Sequence, residues 1–279
     1  MTGAKRKSRT PFAARMALAP YELWAALFIL VPLAFVAYYA FTDDSMRFTF
    51  DNILKFFSTP KYMLIFWRSL KLAVISTIVC LLIGYPIAYI IAHASPRAQK
   101  TMITLIMIPM WMNFLIRTYA WMTILQDTGL LNNLFEAMHL GRTHIIGTET
   151  AVVIGMVYDY LPYMILPIYS IMAKMDDRLI EAAHDLGCNS LSTLRRVVFP
   201  LSLPGVVSGV TMVLIPSIST FYISQKLGEK MILIGDLIEQ QHASNMHFAA
   251  AIAFILMVIL LIAMALMKRY TDSRVQGGV

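Results

Sequence analysis

The sequence predicts an all-α membrane protein that crosses the bilayer six times. Composition is the first observation: hydrophobic residues make up 58% of the 279 residues and charged residues only 14%, against about 25% charged in a soluble domain. The second is that apolar residues are collected in six runs, each close to the roughly 20 residues that span a bilayer as a helix. The third is an uneven distribution of Lys and Arg between the connecting segments.

The chain begins with a basic tail, residues 1–20, that precedes the first apolar run. That run, within residues 21–42, is longer than the apolar core of a signal peptide, so it is expected to remain as the first transmembrane helix. The other five spans are expected at residues 72–92, 102–125, 151–173, 201–225 and 248–267.

The basic residues indicate the orientation of these spans. An even number of spans places both termini on one side of the membrane. Fourteen Lys and Arg residues lie in the termini and in the connections on that side, against seven on the other side. Because basic residues are retained in cytoplasmic segments, both termini are expected in the cytosol. The net charge of +7 therefore reflects orientation and gives no reason to expect a nucleic-acid partner.

The longest polar interruption in the second half of the chain, residues 174–203, lies between the fourth and fifth spans on the predicted cytoplasmic side. Its first part is expected to form an amphipathic helix that Gly187 ends in the left-handed conformation. A second short helix is expected to follow, and Pro200 is expected to stop it. The candidate N-terminal caps are Asp176 or Asp177 for the first helix and Asn189 or Ser190 for the second.

This loop resembles the EAA loop of ABC-importer permeases. The similar residues are Glu181-Ala182-Ala183, Gly187 and Phe199-Pro200, in this order between two spans. The resemblance implies that the loop docks into a cytoplasmic ATPase, and that residues 66–267 form the MetI-like core of type I importers. The alternative is an amphipathic connector that lies on the membrane surface. The residues with an implied ATPase-coupling role are Glu181, Ala182, Ala183, Asp185 and Gly187.

Further stretches resemble spermidine/putrescine permeases. They are residues 108–121 (IPMWMNFLIRTYAW), residues 129–132 (GLLN), and the segment from Pro216 to Gly235. The resemblance implies the import of a small cationic solute, most simply spermidine or putrescine. Related permeases for iron, thiamine and opines share some of these sequence motifs, so a solute of one of those types is an alternative.

The chain contains no phosphate-binding glycine loop and no cluster of metal-ligand residues, so no cofactor or metal is expected on it and it is not expected to be an enzyme. The resemblance implies ATP–Mg on two copies of a separate ABC ATPase, a second homologous permease subunit and an extracytoplasmic solute-binding protein. It also implies a prokaryotic cell membrane and contact with its lipids. The rival class is a stand-alone secondary carrier or channel, in which Asp159 and Arg117 would couple ions.

Charges inside spans are functional candidates by default, and two are expected here: Arg117 in the third span and Asp159 in the fourth. Asp159 either attracts a cation in the pathway or pairs with Arg117 for structural reasons. The pathway role is favoured because tyrosines surround Asp159 and aromatic faces attract cations. Those tyrosines are alternatively an interfacial belt, and the polar residues after Pro216 alternatively pack helices together. The candidate pathway residues are Asp159, Tyr158, Tyr160, Tyr163, Ser219 and Tyr222.

Overall fold

A computed structural model describes residues 20–276 of the chain as a bundle of helices. Residues 1–19, which hold the predicted basic tail, lie outside the described residues. In chain order the helices are α1 (Pro20–Ala40), α2 (Asp51–Ser58), α3 (Pro60–Ala92), α4 (Pro96–Trp111), α5 (Phe114–Leu125), α6 (Leu130–Ala137), α7 (Glu149–Met172), α8 (Asp177–Asp185), α9 (Ser190–Ser219), α10 (Tyr222–Leu227), α11 (Ile234–Ser244) and α12 (Met246–Gln276).

Five of these helices, α1, α3, α7, α9 and α12, are long and apolar enough to cross a membrane. A sixth span is obtained when α4 is counted with the segment Phe114–Ala137, which contains α5 and α6. The predicted fold class, an all-helical membrane protein with six spans, is confirmed with this bent pair as the third span.

The centre of the bundle is formed by α3, α7 and α9, which pack against one another. Small residues allow this approach: a Cβ on Gly205 would lie 2.9 Å from the carbonyl oxygen of Pro167, and one on Gly209 would lie 2.8 Å from Met164 Sδ. Glycines in a membrane bundle let helix backbones meet and so maximise van der Waals contact. Met164 is fully buried between these helices.

The third span, expected at residues 102–125, is not one continuous helix. It breaks at Met112 and Asn113, and the two parts meet at an angle of 92°. Asn113 explains the restart because its side-chain oxygen accepts a hydrogen bond from the Leu115 N–H at 2.8 Å and so caps α5. The apolar length of the segment favoured one span in the sequence, although Pro109 and Asn113 lie at the break.

The fifth span also differs from the expectation. Asn189 caps its first turn as predicted, accepting from the Ser192 N–H at 2.8 Å, but the helix continues through Pro200 to Ser219. The turn before this proline, Leu194–Val198, is π-helical, and its altered hydrogen-bond spacing accommodates the missing N–H donor. At its far end the helix stops at Thr220, not at residue 225.

The bundle has two distinct ends. We call the end that carries α8 and the α3–α4 turn the loop end, and the other, which carries α6, α10, α11 and the start of α7, the opposite end. At the opposite end α11 packs onto the break after α9, where a Cβ on Gly235 would lie 2.5 Å from the Ser219 carbonyl oxygen. Away from the central helices, α1 packs along α12.

Candidate coupling loop and transport pathway

The loop between α7 and α9 has the predicted turn. The Asp176 carboxylate accepts a hydrogen bond from the Arg178 N–H at 3.0 Å and caps α8. Gly187 has a φ of +82°, and the next residue, Cys188, donates its N–H to the Ala183 carbonyl oxygen at 3.0 Å. This is the hydrogen-bond pattern of a glycine C-terminal cap, which favours glycine because other side chains rarely adopt that φ. This turn ends α8 and leads the chain into α9.

The exposed surface of this loop is both acidic and apolar. Glu181 and Asp185 are exposed, whereas Ala183 is buried and anchors α8 to the bundle. Leu186 shares the side of Ala183 at i, i+3 spacing, but Leu186 is 85% exposed. The exposed apolar residues of the loop are Leu179, Ala182, Leu186 and Leu191.

A cavity of about 420 Å³ lies between α8 and the α3–α4 turn. Glu181 lines it together with His93 and Gln99. The Gln99 amide donates to two carbonyl oxygens of the α3–α4 turn, each at 3.0 Å, and its oxygen accepts from the Tyr169 hydroxyl at 3.2 Å. The turn beside Glu181 is therefore tied to α7 by side-chain hydrogen bonds.

The structure brings the two intramembrane charges together. Arg117 Nε lies 3.3 Å from Asp159 Oδ1, and both side chains are more than nine-tenths buried. In such surroundings removal of one partner leaves an uncompensated charge. The pairing that the sequence offered as an alternative is thus present in this structure, and a pathway role of Asp159 stays a prediction.

The other candidate pathway residues are divided between two places. Tyr160, Ser219 and Tyr222 lie around the break after α9: the Tyr160 hydroxyl reaches the Pro216 carbonyl oxygen at 3.5 Å, and the Ser219 hydroxyl donates to Ile215 at 3.2 Å. Side-chain donors thus compensate carbonyl groups near the end of α9. The remaining two tyrosines are placed elsewhere, Tyr158 against Trp121 at 5.3 Å between ring centroids and Tyr163 on the exposed side of α7.

A cluster that the sequence analysis missed surrounds Tyr222. The Tyr222 ring meets the Phe114 ring at 5.2 Å and the Tyr119 ring at 6.2 Å between centroids. Lys226 Nζ lies 5.3 Å from the Tyr119 centroid and 5.5 Å from that of Tyr222, within the roughly 6 Å of a cation–π contact. The i, i+4 spacing of Tyr222 and Lys226 was a local signal for this contact.

Two further polar residues that the sequence analysis missed are buried at the opposite end. The Asn132 amide donates to the carbonyl oxygens of Gln126 and Thr143 at 3.2 and 3.0 Å, and its oxygen accepts from the Thr143 N–H at 2.8 Å. This single side chain closes the connection between α5 and α7.

The second such residue is Asp236, at the start of α11 and outside the spanning helices. Its Oδ2 accepts from the Ser224 hydroxyl at 2.7 Å and from the Leu233 N–H at 2.8 Å. Burial raises the pKa of Asp236 to about 6, although these hydrogen bonds lower it. The group thus ties α10 to α11.

Comparison with known families decides what kind of protein carries these features. The family described as "Binding-protein-dependent transport system inner membrane component" matches residues 84–277. The chain belongs to this family. The predicted relationship to ABC-importer permeases is therefore confirmed, and the protein is a permease subunit and not a member of an enzyme family.

Individual relatives agree with the family assignment. The permease is 38% identical over 248 residues to the spermidine/putrescine transport system permease protein PotB of Haemophilus influenzae, covering 85% of this chain and 86% of that one. It is 35% identical to PotB of Escherichia coli, covering 85% and 90%. The inner membrane ABC transporter permease protein YdcU of Escherichia coli is 28% identical, covering 86% and 83%.

Solved structures share the fold of this permease. A bacterial ABC transporter involved in the import of the acidic polysaccharide alginate aligns with a TM-score of 0.73 at 16% identity, covering 92% of this chain and 95% of that chain. A second structure of an alginate transporter, in complex with a periplasmic protein bound to alginate pentasaccharide, aligns with a TM-score of 0.74 at 16% identity, covering 93% and 95%.

Proposed function

We propose that this chain is a permease subunit of an ABC importer that moves spermidine or putrescine into the cytoplasm. The observation that carries the proposal is the 35–38% identity, over 85% of the chain, to proteins named as spermidine/putrescine permeases. The aromatic residues around the break after α9 support it, because aromatic faces attract the ammonium groups of such a solute.

The proposed complex has a second homologous permease, two copies of a cytoplasmic ATPase that bind ATP–Mg, and an extracytoplasmic solute-binding protein. Three observations support these partners: the family is named for binding-protein dependence, a structural neighbour is in complex with a periplasmic protein, and the loop end exposes Leu186 and Glu181. Leu186 is one of four exposed apolar residues of this loop, and a group of exposed apolar residues rimmed by polar ones marks a site of protein–protein contact. The ATPase-coupling residues would be Glu181, Ala182, Ala183, Asp185 and Gly187.

In this proposal ATP-driven closure of the ATPase dimer draws the coupling loops of the two permeases together. The movement opens the pathway at the opposite end, where the binding protein releases its solute. Asp159 and Arg117 hold α5 and α7 together beside the pathway, while Tyr160, Ser219 and Tyr222 line it at the break after α9.

Transport by the complete complex tests the proposal. Proteoliposomes that contain both permeases and the ATPase should take up labelled putrescine or spermidine when ATP and the loaded binding protein are present. Uptake without the ATPase would instead indicate a secondary carrier or channel. Uptake of thiamine, iron or an opine with neither polyamine transported would identify the alternative solute types.

The proposed orientation places the loop end and both termini in the cytosol, in accord with the excess of basic residues there. Cys188 is partly exposed in the loop, whereas Cys80 is buried, and both thiols are free. A membrane-impermeant maleimide should therefore label inside-out vesicles stripped of the ATPase and leave intact cells unlabelled. A Cys188→Ser variant provides the background, and labelling of Cys188 in intact cells would reverse the orientation.

A further inference from the structure

We propose that the rings of Tyr119 and Tyr222 form an ammonium-binding subsite of the transport pathway, and that Lys226 occupies this subsite until a substrate ammonium displaces it. This inference rests on the proposed function, because it requires a cationic solute. The Lys226 ammonium lies 5.3 and 5.5 Å from the two ring centroids. A primary ammonium on a flexible chain is also the terminal group of putrescine and spermidine.

The tyrosine rings are the partners that the structure gives to Lys226. Among the side chains that the structure describes, no carboxylate lies within 4.0 Å of its ammonium. Phe114 packs edge-on against Tyr222 and fixes the orientation of that ring. The arrangement is therefore a cation held by aromatic faces, which is the geometry that recognises organic ammonium ligands.

The position of the cluster fits the mouth of a pathway. Leu227, the neighbour of Lys226, accepts a hydrogen bond from the Gly147 N–H at 2.8 Å, just before α7 begins at the opposite end. Tyr119 is 45% exposed and Lys226 is partly exposed, so a ligand can reach the rings. A lysine facing hydrocarbon is costly, which favours a surface that lines water or protein.

Occupation by Lys226 has a consequence for affinity. A substrate ammonium that enters the subsite must displace the lysine. The affinity gained from this exchange of cations is smaller than the affinity that the same two rings would give if no lysine occupied them. Removal of the lysine charge should therefore strengthen polyamine binding. The expected gain is about two- to fivefold in Kd, which corresponds to one cation–π contact at an exposed site.

Equilibrium binding of labelled spermidine tests this inference. The complete transporter is placed in nanodiscs without its binding protein and trapped with vanadate, and the Kd is compared for the wild type, Lys226→Gln and Lys230→Gln. Lys230 is exposed in the following loop, so its replacement removes the same charge nearby without opening the rings. We expect a two- to fivefold lower Kd for Lys226→Gln and little change for Lys230→Gln.

Two more variants connect the gain to the rings. Lys226→Arg keeps a cation over them and should retain the wild-type Kd or weaken binding. Tyr119→Leu should weaken binding, and in this background Lys226→Gln should no longer improve it. If Lys226→Gln does not assemble, Lys226→Met, which keeps the apolar stem, takes its place in the comparison.

Several results would overturn the subsite: equal gains from Lys226→Gln and Lys230→Gln, a gain that persists without Tyr119, or unchanged Kd in a complex that transports polyamines. Absence of measurable spermidine binding in a transporting wild-type complex would also count against it. Failure of the proposed function is distinguishable, because the wild-type complex would then neither bind nor transport putrescine or spermidine.

Discussion

The two ends of the bundle are built in opposite ways. At the loop end, α9 runs as one helix from Ser190, through Pro200, to Ser219, and a single glycine turn joins it to α8. At the opposite end helices stop and restart, after α4 with a bend of 92° and again after α9. Buried polar side chains secure the connections that follow these breaks: Asn132 closes the connection between α5 and α7, and Asp236 ties α10 to α11.

This difference separates two tasks. In the proposed importer, the continuous α9 would pass a displacement at the coupling loop into the membrane without absorbing it. A broken helix presents carbonyl and side-chain groups to a pathway, but each freed backbone group needs a new partner in a membrane. The opposite end should therefore lose stability when its polar side chains are changed, while the loop end should lose coupling with little loss of stability.

The largest effect is expected at the buried ion pair. Asp159→Asn leaves Arg117 charged and unpaired, which costs about 3–5 kcal/mol of stability, so the amount of assembled permease should fall sharply on quantitative immunoblots. Adding Arg117→Gln should restore the amount, because no unpaired charge remains.

An exposed ion pair supplies the matched control for this prediction. Glu149 accepts from Lys71 Nζ at 2.6 Å, and both side chains are more than 40% exposed. Glu149→Gln should cost less than about 1 kcal/mol. Normal amounts of Asp159→Asn that lose spermidine uptake more than putrescine uptake would instead assign Asp159 to the pathway.

The next largest effect is expected at Asn132. Asn132→Ala removes three hydrogen bonds from a buried connection and should destabilise it locally by about 2–3 kcal/mol. Limited proteolysis between residues 126 and 148 should become faster, and the ATPase stimulation caused by the binding protein should fall. Its exposed neighbour provides the control: Asn133→Ala should leave both measurements near wild type, and equal proteolysis of the two variants would refute the role of Asn132.

Gly187 and Gly141 allow the two ends to be compared directly. Both have positive φ, +82° and +76°, and a Cβ at either position would meet nothing within 4 Å. Valine should cost about 1–2 kcal/mol of backbone strain at each. Gly187→Val should also uncouple ATP hydrolysis from transport, whereas Gly141→Val should transport normally. Full coupled transport by Gly187→Val would contradict the role of the loop turn.

The smallest effect is a pH dependence at Asp236. The folded-state pKa of this carboxyl is raised from 3.8 to about 6, so the folded state binds the proton more tightly than the unfolded state does. The stability that this proton binding adds to the folded state is complete below pH 3.8 and is lost as pH rises through about 6. Opening of residues 228–244 should become about tenfold easier between pH 5 and 7, roughly 1.4 kcal/mol. Hydrogen exchange, corrected for its intrinsic pH dependence, measures this opening.

Two substitutions on α11 check the assignment to Asp236. Asp236→Asn removes the titrating group and should flatten the pH dependence. Glu239→Gln changes an exposed carboxyl on the same helix and should retain most of the pH dependence, because burial of Asp236 is the largest cause of its raised pKa and Glu239 the smallest. A pH dependence that survives Asp236→Asn would assign the titration to another group.

The sequence was sufficient for features that depend on neighbouring residues. Span composition, the Asp176 cap and the Gly187 turn are local, and the structure places them as expected. The break at Asn113 was missed because the apolar length of the segment favoured one continuous span, although Pro109 and Asn113 are possible break signals in its sequence. Continuity through Pro200 was missed because a π-helical turn overrides the usual effect of proline.

In the candidate site, too, local features were predictable from the sequence and tertiary contacts were not. Arg117 and Asp159 stand out in sequence as rare charges in spans, so their pairing was foreseeable as one of two outcomes. The contact of Tyr119 with Tyr222 joins residues about a hundred positions apart, and no local pattern relates them. Tertiary contacts of this kind become visible only when the helices are packed.

The unbroken course of α9 makes it a lever arm. Its 30 residues are about 45 Å long at 1.5 Å per residue. A tilt of roughly ten degrees, pivoted where the helix leaves the coupling loop, would move Ser219 by about 8 Å over that length. A movement of that size exceeds the width of a polyamine chain, so a modest rotation at the loop end would be amplified into a change that opens or closes the mouth of the pathway.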